Sequence, residues 1–352
     1  MIELFVPGRL CLFGEHSDWA GGYRASRPAL APGYCLVAGT DQGLTARLER
    51  RPRSFEIASA LPDGRRAGPV RIEAEPDALE AVARSDDFMS YAAGVAAVIR
   101  RRYAVGGLFV EITRADLPIR KGLSSSAALC VLVARAYSEA YGLMLSTREE
   151  MELAYAGERL AGSECGRMDQ VCAYGRRLSF LTFDGSEFDV EPLEPGASFE
   201  LLIVDLRSDK DTRRILTDLN ACFPDTPGER AAGVREALGR CNAELLARAR
   251  RAVGCGDAAA LGALMREAQA LFDAKVAPAS AALAAPRLRA VLTHTATGRL
   301  AYGGKGVGSQ GDGCAQLVTR GPAERAELSA ILERELGVRA LPLTLRPSPA
   351  AG

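Results

Sequence analysis

From Leu108 to Tyr141 the chain passes from a strand-forming run, through a turn of small residues, into a helix with apolar positions at helical spacing. The turn, PIRKGLSSSAAL at residues 118–129, constrains the local fold because glycine and consecutive serines leave the amides of residues 121–126 free to point into one concavity. The helix that follows, expected at Ser125–Tyr141 and ended by Gly142, adds the positive end of its dipole. Such a cradle suits phosphate. Arg120 and Lys121 raise the local potential, and a serine hydroxyl can ligate Mg²⁺ beside phosphates. The plain alternative is a helix capped by serine. The stretch is not the GxxxxGK[ST] phosphate loop.

Around this turn, strands and helices mix without the alternation of a doubly wound sheet, which points to an α+β fold. Strands are expected at 2–6, 10–13, 35–38 and 44–48, a helix at 88–102 and a strand at 108–113. Ser146 to Glu150 reads as the capped start of a helix running to residue 162. Strands at 177–183 and 200–206 then flank a proline-glycine connector, VEPLEPGAS, where a boundary between domains 1–190 and 191–348 is expected. Helices follow at 212–221, 229–252, 257–273 and 287–297. The glycine-rich loop YGGKGVGSQGDG leads into the strand CAQLVT, a helix at 322–336 and a last strand at 339–345.

Composition excludes several functions. With 44 basic residues against 44 acidic ones, no global field draws the chain to nucleic acid or an anionic membrane, and neither is expected as a partner. There is no uninterrupted apolar run of about twenty residues to span a bilayer. MIELFVPGRL lacks the basic segment and apolar core of a signal peptide. Nine scattered cysteines without a CxxC pair fit reduced, buried thiols in a cytoplasmic protein.

Two further stretches concentrate polar groups. PGRLCLFGEHSDWAGG packs Arg9, Glu15, His16, Asp18 and Trp19 close to a strand end, where they can converge on a hydroxylated ligand, Trp19 offering an apolar face to a sugar ring. The plain alternative is a turn with solvated charges and a structural histidine. GERLAGSECGRMDQVCAYG places Glu158 on a helix and Asp169 at the start of the next short helix. Two such carboxylates can divide the work, one on a metal and one as base, although either alone reads as a surface charge.

Three motifs, PGRLCLFGEHSD, PIRKGLSSSAA and GGKGVGSQGDGCA, stand in the order and spacing of the GHMP kinase superfamily, and the chain is identified as a member, similar in motifs to galactokinase-like sugar kinases. The resemblance implies an N-terminal domain of the ribosomal-protein-S5 type, a ferredoxin-like C-terminal domain and an active site between them. It implies ATP phosphates on Lys121, Gly122, Leu123, Ser124, Ser125 and Ser126, with Mg²⁺ on Ser126 and Glu158. Asp169 accepts the proton of the acceptor hydroxyl. Arg9 is the cation beside the reacting oxygens and favours ionised Asp169. Glu15, His16, Asp18, Gly166, Asp169 and Gly304 are implied to hold the acceptor, and the loop from Gly303 to Gly313 to close over nucleotide and substrate.

The acceptor class follows from finer resemblance. Arg9, Glu15, His16 and Asp18 match galactokinase, whereas mevalonate kinase normally carries lysine in place of Arg9 and no acid in place of Asp18. A carboxylate suits vicinal hydroxyls and would repel mevalonate's own carboxylate. AGGYRASRPALAPGYCLVAGTDQGL and GGKGVGSQGDG depart from galactokinase, so the expected acceptor is another sugar, an amino sugar, a uronic acid or a cyclitol rather than galactose itself, and for a sugar the resemblance to galactokinase implies the anomeric hydroxyl. The alternatives are a mevalonate kinase-like or cyclitol kinase, or a non-catalytic sugar and ATP sensor. Arg24 and Arg27 would suit an acidic sugar but read better as surface arginines. In DLRSDKDTRRIL, Thr212 and Lys210 can assist transfer, but a helix N-cap at Asp211 or Thr212 accounts for them better.

Overall fold

A computed structural model of the chain describes residues 2–60, 66–85, 89–117, 122–208 and 210–347. The strands in chain order are β1 (Ile2–Phe13), β2 (Gly33–Arg51), β3 (Ser54–Ala60), β4 (Arg66–Glu73), β5 (Gly107–Ala115), β6 (Leu178–Asp184), β7 (Glu187–Leu193), β8 (Phe199–Asp205), β9 (Ala301–Gly306), β10 (Cys314–Thr319) and β11 (Arg339–Leu345). With the helices, they make the α+β class expected from sequence.

β1 and β2 are each longer than the sequence suggests. β1 runs unbroken through Pro7, which is tolerated because β1 pairs only with β2 and the missing N–H costs no inner ladder bond. β2 runs through Gly39 and Gly43, which read as turn residues but serve close approach. A Cβ at Gly39 would lie 2.0 Å from the Gly175 carbonyl oxygen, and one at Gly43 would lie 2.4 Å from that of Val6.

The chain divides into two compact units that interleave in sequence, one of residues 1–9, 39–119 and 124–176, the other of residues 10–38, 120–123 and 177–352. The boundary expected at 190/191 falls inside the second unit. In the first, β5 pairs antiparallel with Leu44–Arg51 of β2 and parallel with β3, which carries β4 on its other side. β4 is almost wholly exposed and lacks an apolar face, which is why its sequence does not announce a strand. Helices Ser90–Arg102 and Thr147–Leu160 come together at small residues, for a Cβ at Gly94 would lie 2.3 Å from the Gly157 carbonyl oxygen. The expected capping box forms between Ser146 and Glu149 and fixes the start of the second of these helices.

In the second unit, Gly33–Ala38 of β2 pairs with β6, and β6 forms a hairpin with β7. β7 takes in the first part of the expected connector, and Pro192 is accommodated because β7 ends the ladder. β8 to β11 form a separate antiparallel sheet in the order β11-β8-β10-β9. Leu202, Val204 and Leu317 of this sheet meet Leu288, Leu300 and Leu328 in a buried core. The single helix expected at 287–297 is two, Pro286–Leu292 and Thr295–Leu300, because the His294 side chain accepts from the Ala296 amide and caps the second. The first half of the expected glycine-rich loop is the buried strand β9. Among the described residues, no helix is long and apolar enough to cross a membrane, and all nine cysteines are free thiols.

Candidate active site

In the first unit, helix Ser125–Tyr141 begins without a side-chain cap. Ser124 stands at φ 56°, in the left-handed region, and its hydroxyl makes no capping bond. The serine-capped helix is therefore not what forms, and Ser124, Ser125 and Ser126 are all partly exposed at an N-terminus without a side-chain cap. Glu158, on helix Thr147–Leu160, is 2% exposed. Its carboxylate accepts from Gln170 Nε2 at 2.7 Å and from the Ser126 hydroxyl. Burial raises its pKa above the usual value, and hydrogen bonds from Ser126 and Gln170, with the charge of Arg9, oppose the rise.

Arg9 and Asp169 form an ion pair in which the arginine side chain is 3% exposed and the aspartate 26%. Arg9 Nε and Nη1 are buried and make no hydrogen bond among the described residues. Asp169 opens the short 3₁₀ turn Asp169–Tyr174, which is tied down by Arg135, donating to the Ala173 carbonyl at 2.7 Å and to Glu150. Gly166 lies in the irregular stretch just before.

In the second unit, β1 ends at Phe13 and the chain turns at Gly14, with φ 97° and no room for a Cβ beside the Tyr34 carbonyl oxygen. Glu15, His16 and Asp18 follow, all buried, and Ser17 anchors the turn by donating to the Leu238 carbonyl at 2.9 Å. Glu15 pairs with Lys305 of β9, and the two side chains are 5% and 2% exposed. Lys305 also donates to the Gly306 carbonyl at 2.9 Å. His16 Nδ1 accepts from the Trp19 indole N–H at 3.2 Å, so the neutral ring carries its proton on Nε2. Burial, helped by the charges of Lys210 and Lys305, pulls its pKa down to about 4. Trp19 is packed edge-on against Phe223, with ring centroids 5.3 Å apart.

The two glycine segments marked in the sequence touch within this unit. A Cβ on Gly308 would lie 2.9 Å from the Gly122 Cα, and Gly122 and Gly308 have φ of 84° and 65°. Leu123 is fully buried. Gly304 is held to its size by β10, since its Cβ would meet the Gln316 carbonyl oxygen at 2.4 Å. Lys121 lies outside the described residues. Asp211 caps helix Thr212–Asn220, as the sequence suggests, while the Thr212 hydroxyl lies 3.3 Å from that of Ser309 and Lys210 donates to the Gln310 carbonyl at 3.1 Å. Arg24 is committed to Asp184 and the Pro28 carbonyl, and Arg27 to Asp225. Sequence reasoning missed Lys305; its one signal was a lone lysine among glycines, obscured by the expectation of a glycine loop that closes over nucleotide and substrate.

Residues 90–176 match the family of GHMP kinases N terminal domain. Galactokinase of Thermococcus kodakarensis is 30% identical over 205 residues, which are 57% of this chain and 52% of that protein. The chain thus spans about half the length of the curated relatives it matches. Lactococcus lactis galactokinase complexed with galactose shares the fold at a TM-score of 0.73 and 19% identity, over 98% of this chain and 93% of that one. Mevalonate kinase of Methanococcus jannaschii does so at 0.74 and 18%, over 99% and 98%. Residues 90–176 thus match a GHMP kinase N-terminal domain, and the chain as a whole has the fold of these kinases. Over the 57% of the chain that aligns, its sequence is similar to galactokinase.

Proposed function

We propose that the protein transfers the γ-phosphoryl group of ATP to a hydroxyl of a sugar or sugar-like polyol, acting as a sugar 1-kinase. The observation that carries this reading is the Arg9–Asp169 pair, in which a buried arginine orients a partly exposed carboxylate while two of its own nitrogens lack partners. Those N–H groups suit phosphoryl oxygens, and the carboxylate suits the proton of an attacking hydroxyl. In the step itself, Asp169 takes that proton, the acceptor oxygen bonds to the γ-phosphorus, and the bond to the bridging oxygen of ADP breaks. Phosphoryl transfer needs chiefly this positioning and charge stabilisation.

The amides from Gly122 to Ser126, with Lys121, are assigned to the phosphates of ATP. Ser126 and Glu158 would hold Mg²⁺, for which a buried carboxylate bonded to a serine hydroxyl is a fitting oxygen pair. When bound, that ion would supply positive charge that neutralises the phosphates. Glu15 and Asp18 are assigned to acceptor hydroxyls as hydrogen-bond acceptors, His16 as a neutral donor, and Gly166 and Gly304 through their backbone. In this division residues 1–190 bind ATP and substrate and residues 191–348 complete the enzyme, in the cytoplasm, where nine thiols stay reduced.

ADP release with Mg²⁺ and ATP, measured across free sugars, uronic acids, amino sugars, cyclitols and mevalonate, tests the reading. One strong polyol acceptor is the expected result. Turnover of mevalonate alone would replace it with the mevalonate kinase-like reading, and silence throughout, with ATP still bound, would sink catalysis in favour of a sensor.

A further inference from the structure

Within the second unit, helix Ala258–Lys275, helices Pro286–Leu292 and Thr295–Leu300, and β9 border an open groove of about 1310 Å³. Its floor is apolar, with the buried Leu283, Leu288 and Ala301, and its rim is basic. Five arginines line it against two aspartates, and both acids are already engaged. Asp218 accepts from Arg214 and, at 2.7 Å, from Ser280, while Asp273 accepts from Gln269 at 2.8 Å. Arg320 lies over the Tyr302 ring at 4.8 Å. The remaining three, Arg230, Arg266 and Arg289, are exposed, line the same concavity and have no ion pair among the described residues.

Three uncompensated guanidinium groups around an apolar floor fit a small organic molecule bearing two or more phosphate charges, since guanidinium pairs with phosphate in a bidentate fork. The groove is also wired to the Lys305–Glu15 pair. Gln269, on its wall, accepts from the Gly306 amide at 2.7 Å, and the Gly306 carbonyl accepts from Lys305. Helix Ala258–Lys275 lies on β9 without slack, because a Cβ at Gly262 would come within 2.5 Å of the Tyr302 Cβ. A shift of that helix is therefore carried into the strand that bears Lys305.

We propose that this groove is a regulatory site for a phosphorylated nucleoside or sugar, and that its occupancy changes the affinity for the acceptor through Gly304, which lines the groove, and through Gln269, Gly306 and the Lys305–Glu15 pair. The regulatory half rests on the assignment of Glu15 and Gly304 to the acceptor; the binding half does not. The probe is inorganic pyrophosphate, titrated calorimetrically without Mg²⁺ or acceptor into the wild type and into the double variant R266A/R289A, whose exposed side chains leave folding and melting temperature unchanged. Each lost arginine weakens binding by about tenfold. Equal affinity in both proteins, or no binding to the wild type at millimolar pyrophosphate, overturns the site. In turnover assays, pyrophosphate shifts the acceptor KM of the wild type and not of the variant. Lost binding with an acceptor KM indifferent to pyrophosphate keeps the site and overturns the regulation.

Discussion

Two ion pairs, Arg9–Asp169 in the first unit and Glu15–Lys305 in the second, differ in one respect that sets their use. Arg9–Asp169 is lopsided, with the arginine buried, the aspartate a quarter exposed, and two guanidinium nitrogens unspent. Glu15–Lys305 is closed, with both side chains at or below 5% exposure and the ammonium bonded to both carboxylate and backbone. A pair with one open arm can exchange a proton and receive a phosphate, whereas a closed pair exchanges no proton and holds its carboxylate in a fixed place as a hydrogen-bond acceptor. Burial asymmetry, rather than the presence of a salt bridge, separates chemistry from scaffolding here.

The largest effect expected is on the open pair. Asp169→Asn keeps the shape of the side chain, removes the proton acceptor and lowers kcat by about 10²–10⁴-fold, with a smaller loss of melting temperature because the amide oxygen still accepts from buried Arg9 but no longer neutralises it. Near-normal turnover in this variant would remove Asp169 from the role of base. The closed pair answers in the opposite currency. Lys305→Met strands a buried carboxylate and costs about 3–5 kcal/mol of stability, read as a lower urea midpoint. Adding Glu15→Gln restores much of the loss, and if the double variant is no more stable than the single one, the pair is not what holds this turn.

That contrast was only half legible in the sequence. Arg9, Glu158, Asp169 and Ser126 could be singled out because each lies in a motif whose residue types announce phosphate and metal chemistry, and the structure brings Arg9 to Asp169 and Ser126 to Glu158. Lys305 could not be, because its partner lies 290 positions away and glycines on both sides suggested a mobile loop. Those glycines instead let β9 pack against helix Ala258–Lys275 and β10, a property of tertiary contact that no local pattern encodes. The α+β class and most helices were readable from periodicity and caps. β4 and β7 were not, since edge strands that are exposed or contain proline lack the alternation that marks a strand, and β3, an inner strand buried on both faces, lacks it for the opposite reason.

His16 extends the comparison to pH. Its folded pKa is about 4, against a usual 6.5, so folding favours the neutral ring. This contribution is complete above 6.5 and is lost as pH falls through the folded value, amounting to about 3 kcal/mol across that window. His16→Asn should therefore flatten the stability profile between pH 6.5 and 4, measured by urea unfolding at fixed ionic strength. Parallel profiles for the two proteins would mean that the ring protonates in place. Because it stays neutral above pH 6, the acceptor KM should show no inflection from His16 between pH 6 and 8.

Glu158 has the smallest effect and the most specific one, because its sign reverses with metal. Its folded pKa lies above the usual 4.5, with burial the first cause, so its contribution is favourable below the unfolded pKa and is lost as pH rises through the folded value. Without Mg²⁺, ionisation of this carboxylate as pH rises leaves a buried charge that Gln170, Ser126 and Arg9 only partly relieve. Glu158→Gln should accordingly melt slightly higher than the wild type at pH 7.5 in EDTA, with the gap closing toward pH 4.5. With ATP and Mg²⁺ the order inverts, since the wild type gains the bound metal's stabilisation and the glutamine variant does not. The inversion is the informative part. A variant more stable under both conditions would make Glu158 a buried charge tolerated for some other reason, and one less stable under both would make it a structural hydrogen-bond acceptor for Gln170; either result takes the metal away from this carboxylate and leaves the open Arg9–Asp169 pair as the only charged group in the first unit still assigned to phosphoryl transfer.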